Sequence, residues 1–113
     1  MQNKDKNYSI VDVYGSLLST LLQFREDRDW LQFHSPKNLA CSLSIEANEL
    51  LELFQWSDDC KDKEKLKQEI ADIAIYLIYL CHDTGINLHE AITKKIALND
   101  KKYPIHKSKG SSK

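Results

Sequence analysis

SPKNLACSLSIEANELLELF, running from Ser35 to Phe54, decides the fold. Ser35 and Pro36 suit the entry to a helix, because a serine hydroxyl accepts from a free N–H at the first turn and proline has no N–H to lose there. Beyond them Leu39, Leu43, Ala47, Leu50 and Phe54 recur at three and four, the spacing of one helical face. This predicts a helix over 36–56, stopped by Ser57-Asp58-Asp59. Glu46 falls inside the same stripe, between Leu43 and Leu50, and Glu49 follows at i+3. An apolar helical face therefore carries acids.

The pattern repeats on both sides of that stretch. Upstream, Ile10, Val13, Tyr14, Leu17, Leu18, Leu21, Leu22 and Phe24 predict a helix over 9–25. Downstream, helices are expected over 62–84 and 88–102. Gly85 supplies a left-handed C-terminal cap between them, Asn87 and Glu90 form a capping box, and Tyr103 ends the last helix before Pro104. Only five of 113 residues are Gly or Pro, too few turns for an all-β sandwich. The fold class is all-α, and short connections between long helices favour a four-helix bundle. One domain over 1–104 is expected, followed by a disordered basic tail over 105–113 with almost nothing to bury. Rings such as Tyr8, Tyr14 and Tyr79 are expected to leave apolar surface for a partner.

Sixteen Lys and Arg against 17 Asp and Glu give a formal net charge of −1. No global field draws in nucleic acid or anionic lipid, so neither is expected as a partner. The longest apolar run, Ile73 to Cys81, is too short to cross a bilayer, and the polar start from Met1 to Asn7 lacks the apolar core of a secretory signal. A cytoplasmic location is expected. Cys41, Cys60 and Cys81 form no Cys-x-x-Cys pair and are read as reduced thiols rather than zinc ligands.

Two acidic pairs at i and i+3 carry the chemistry: Glu46 with Glu49, and Glu69 with Asp72. Asp72 lies among Ile70, Ile73, Ala74 and Tyr76, so it too points at the core or close to it. Packed antiparallel, the two helices would bring four carboxylates together in a reduced dielectric, where they repel. A divalent cation with oxygen ligands answers that, Mg²⁺ especially, since it takes one or two carboxylates and shares its remaining positions with water and phosphate. No histidine follows a glutamate by three residues, which argues against a di-iron bundle. For Glu49 and Glu69 taken singly, an ordinary solvated helix position is the simpler account.

Lys95, Asn99 and Lys102 share a face at the end of the fourth helix, beside Tyr103 and Pro104. Cations and an amide presented together suit a phosphate chain, although lysines at a helix C-terminus are also favoured by the dipole alone. Trp30, Phe33, His34, Trp56 and Tyr76 are rings near these polar groups. Such rings stack on nucleobases or simply fill a core, and for Trp56 the two readings are balanced.

Taken in order, Arg28 to His34, Glu46 to Leu50 with Leu53 to Trp56, Glu69 to Asp72 with Ile75 to Leu77, and Lys95 to Asn99 with Lys102 to Pro104 resemble the MazG-like all-α nucleoside triphosphate pyrophosphohydrolases, in particular their dCTP pyrophosphatase branch. The resemblance implies Mg²⁺-dependent hydrolysis, with Mn²⁺ as a substitute, between the α and β phosphates of a deoxynucleoside triphosphate. It implies that Glu46, Glu49, Glu69 and Asp72 are the metal-binding and catalytic acids, and that Lys95, Asn99, Lys102 and Tyr103 hold the triphosphate. Trp30, His34, Trp56 and Tyr76 would line the base and sugar pocket. A homotetramer built as a dimer of dimers is implied as well. Eukaryotic dCTP enzymes of the branch carry a histidine where this chain has Leu21, so strict cytosine selectivity does not follow. Two other readings compete: an HD-type phosphohydrolase using His34, His82, Asp83 and Asp100, and a non-enzymatic helical module that binds partners. Inward acids weigh against the second, because an adaptor has no use for charge in an apolar stripe.

Overall fold

In the computed structural model, residues 10–110 are described, with side chains from Tyr14 onward. Among the described residues five helices follow one another: α1 (Ile10–Asp27), α2 (Pro36–Glu52), α3 (Lys63–Asp83), α4 (Leu88–Lys102) and the single turn α5 (Ile105–Ser108). A 3₁₀ turn, Leu31–Phe33, lies between α1 and α2, and no strand occurs among the described residues. The expected all-α class is what the chain adopts.

Capping explains the boundaries. The Asn38 N–H donates to Ser35 Oγ at 3.1 Å, and Pro36 occupies the first turn of α2. Asp62 accepts from the Lys65 N–H at 3.1 Å and opens α3. Gly85, at φ 73°, closes that helix with two reversed bonds, Ile86 N–H to the Cys81 carbonyl at 2.8 Å and Gly85 N–H to His82 at 3.2 Å. Asn87 caps α4 through the Glu90 N–H at 2.9 Å, but the reciprocal half of the expected box is missing, because the Glu90 carboxylate takes Lys94 Nζ instead. α2 ends four residues before the expected 56. From Leu53 the backbone bonds shorten to i−3, so Phe54 to Trp56 form a tight turn rather than a further helical turn. The region 105–113, expected without structure, includes the helical turn α5; residues 111–113 lie outside the described part, as do Tyr8 and Ser9.

The core is Leu21 from α1, Leu39 from α2, and Ile78 with Tyr79 from α3, of which Leu39 is wholly shielded. Leu39 opens α2 and meets the late residues of α3, so the two helices run antiparallel. That direction sets the C-terminal half of α2, with Glu46 and Glu49, against the start of α3, with Glu69. Tyr79 belongs to this core: it is buried, and its hydroxyl donates to the Leu21 carbonyl at 2.6 Å, so it leaves no apolar surface for a partner. Ala47 and Ile70, read as inward, are both exposed.

α4 stands apart. Residues 91–100 are all exposed, including Ile92, Ile96 and Leu98, and the Cα radius of gyration is 17.7 Å where a compact domain of this length has about 13 Å. A groove of about 550 Å³ opens between α4, the end of α3 and the first half of α1, lined by Tyr14, Leu18, Cys81, Ile86, Leu88 and Ile92 among others. No acid of the predicted cluster lines it. No described helix is long and apolar enough to cross a membrane.

Candidate metal and nucleotide site

Glu46, Glu49 and Glu69 each present a carboxylate oxygen within 4.8 Å of the others. The antiparallel packing of α2 against α3 brings them together, since Glu46 follows the buried Leu39 by seven residues, two helical turns along the same face. Glu46 and Glu69 are half-buried and Glu49 is exposed, so the cluster opens to solvent on one side. Asp72 does not join the trio, but its charge acts on Glu46.

The electrostatics record the crowding. Glu46 is pushed up to about 7, first by burial, then by the carboxyl groups of Glu49 and Glu69 as hydrogen-bond partners, and then by the negative charges of Glu49 and Asp72. Oε2 of Glu69 is buried and has no hydrogen-bond partner. A buried carboxylate oxygen without a donor is costly, and among the described residues no lysine or arginine reaches the cluster. An all-oxygen donor set with one unpartnered atom fits a hard divalent cation.

Among the described residues no hydrogen bond or ion pair joins the other candidates to the acids. Lys95, Asn99 and Lys102 are exposed on α4 and make no hydrogen bond or ion pair to them; Lys102 Nζ lies 5.4 Å from the ring of Tyr103. Trp56 is 89% exposed on the turn after α2, with its ring faces free. Tyr76 packs against the core cluster. Trp30 meets Phe24 edge-on at 5.7 Å, with Arg28 above the Phe24 ring at 3.6 Å. Phe33 is exposed. Of the HD-type set, His82 is exposed and both oxygens of Asp83 are taken by Arg25, at 2.8 and 2.9 Å, so that reading has no free ligand pair.

Sequence reasoning passed over Arg25. It is 5% exposed, faces Tyr79 at 4.6 Å, and has His34 Nδ1 at 3.5 Å from its Nη1. The signal was present: Arg25 follows Leu18 by seven and Leu21 by four, an apolar-stripe position that implies a buried partner.

An all-α chain in which two antiparallel helices pool their carboxylates is a recognisable class of protein. Residues 41–113 match the MazG-like family, and the chain belongs to it. It is 38% identical over 99 residues to dCTP pyrophosphatase 1 of Mus musculus, covering 80% of this chain and 58% of that protein. To the Homo sapiens dCTP pyrophosphatase 1 it is 36% identical over 100 residues, covering 80% and 59%. The chain thus spans less than two thirds of the length of these relatives. A crystal structure of a pyrophosphatase from Archaeoglobus fulgidus superposes with a TM-score of 0.76 at 45% identity, covering 80% of this chain and 91% of that one.

Proposed function

We propose that this chain is a nucleotide pyrophosphohydrolase that hydrolyses deoxynucleoside triphosphates, dCTP or a related nucleotide, between the α and β phosphates to the monophosphate and pyrophosphate. The observation that carries this reading is the convergence of Glu46, Glu49 and Glu69 around an unpartnered buried oxygen, in a chain of the MazG-like family. In this reading Glu46, Glu49, Glu69 and Asp72 hold Mg²⁺, or Mn²⁺ in its place. A cation held there would supply Lewis acidity to offset the charge that develops on the phosphate chain. Lys95, Asn99, Lys102 and Tyr103 grip the phosphate chain, while Trp30, His34, Trp56 and Tyr76 enclose base and sugar. Leu21 is a core residue and its side chain offers no polar group to a base, so the proposal does not restrict the substrate to cytosine.

The proposed assembly is a homotetramer, a dimer of dimers. Its support is α4: a helix carrying Ile92, Ile96 and Leu98 in water, with its lysines unpaired to the acids, is suited to completing a neighbour's site. The proposed catalytic unit is 1–104, with 105–113 a basic extension.

Pure protein with Mg²⁺ and a panel of deoxynucleoside triphosphates tests the reading. Monophosphate and pyrophosphate are the expected products, and Glu49→Gln and Asp72→Asn are each expected to reduce turnover at least about a hundred-fold while the helical circular-dichroism signal persists. Release of orthophosphate alone, or wild-type rates in both variants, would refute it.

A further inference from the structure

The segment from Asp29 to His34 is held far more firmly than an exposed connection requires. Asp29 sits in the left-handed region at φ 53°, and Gln32 Nε2 donates to its carbonyl at 2.9 Å and to Oδ2 at 3.0 Å. The Trp30 N–H donates to the Arg25 carbonyl at 3.1 Å. At the far end His34 packs against Tyr79 in a tilted contact, with ring centres 5.3 Å apart and the planes inclined at 45°. Arg25 ties these parts together, its guanidinium forked onto Asp83 and its Nη1 facing His34 Nδ1.

A guanidinium only donates, so the nitrogen it faces must accept. With Nδ1 unprotonated, a neutral imidazole carries its proton on Nε2, and among the described residues no protein group takes that N–H. Burial, then the positive charge of Arg25, hold the His34 pKa below its ordinary value, with Asp83 pulling the other way. The ring is kept neutral.

We propose that the buried Arg25–Asp83 pair is a positioning device for nucleotide recognition: it locks the Trp30–His34 segment onto α1 and α3 and fixes His34 as its Nε2–H tautomer, so that His34 offers a donor to an acceptor atom of the base or sugar. The proposal rests on the functional reading above. Arg25 and Asp83 touch no substrate in it; they act through His34. Arg25→Lys would keep charge and lose the fork, so it is not a conservative change at this site.

The test is a double variant, Arg25→Met with Asp83→Leu. Replacing a buried ion pair by apolar side chains of similar volume is often neutral or stabilising, so folding and positioning can be separated. Nitrogen-15 NMR of the His34 ring is expected to report Nε2–H alone in the wild type and mixed tautomers in the double variant. KM for the best nucleotide is expected to rise roughly ten-fold, the loss of about one hydrogen bond, with kcat within about two-fold. A role confined to stability would shift the melting temperature and leave tautomer and KM alone. If the double variant does not fold, His34→Gln, which keeps a donor near the Nε2 position, is expected to retain the wild-type KM, and His34→Leu to lose it. A wild-type proton on Nδ1, a double variant with mixed tautomers and unchanged KM, or wild-type KM in His34→Leu would overturn the proposal while nucleotide turnover itself stood. A wild type with the Nε2–H tautomer but no turnover of any nucleotide would remove the functional reading, and the proposal with it.

Discussion

Glu46 illustrates how one residue couples proton, metal and fold. Its carboxyl is raised from 4.5 to about 7, so between those values the folded chain holds a proton that the unfolded chain has released. Protonated Glu46 therefore stabilises the metal-free fold fully below about 4.5, and that contribution is lost as pH rises through about 7. A divalent cation needs the carboxylate and binds more tightly over the same rise. Thermal melts in a chelator should show falling stability between these pH values, and the increase in melting temperature on adding Mg²⁺ should grow across them. In Glu46→Gln both trends are expected to flatten; a Mg²⁺ response independent of pH in the wild type would contradict the assignment. At this scale the acids were legible in the sequence, because Glu46 stood in a leucine stripe. Glu69 was legible as half of an acidic pair, but its buried, unpartnered Oε2 was not, since that depends on the register of one helix against another.

Helices began and ended where capping chemistry placed them, and this is the scale at which sequence was most informative. Ser35, Asp62 and Asn87 each accept from the N–H three residues on, and Gly85 takes the positive φ that closes α3. Nothing lies within 4 Å of a Cβ added at Gly85, so Gly85→Ala meets no clash and suffers only the left-handed strain of its backbone. It is expected to cost about 1 kcal/mol, and Ser35→Ala about the same through the lost cap, both measured by urea denaturation. The end of α2 was misread because apolar periodicity continues through Phe54 after the backbone has tightened into i−3 bonds. Periodicity records which side chains face inward, and a tight turn preserves that facing for one more step.

Across the whole molecule the imbalance lies in α4, whose residues from Ala91 to Asp100 are exposed. Ile96 is 63% exposed, and with Ile92 and Leu98 it leaves three large apolar side chains of a mostly polar helix in water. Ile96→Glu is expected to convert the proposed tetramer to smaller species in sedimentation velocity and to reduce nucleotide turnover with it. An unchanged sedimentation coefficient would argue against α4 as the seam. The near-zero net charge takes on a different meaning at this scale: acids are gathered between α2 and α3, and lysines on α4.

The sequence alone determined the helical class, the caps, and the two acidic pairs, because these follow from spacing within one segment and from local hydrogen bonding. Tertiary structure decided which acids meet, which oxygen is left without a donor, and that Arg25 is buried against Asp83, 58 residues away, with His34 on its flank. Those outcomes depend on the register and direction of helices packed against each other, and no local pattern specifies how two faces will be aligned.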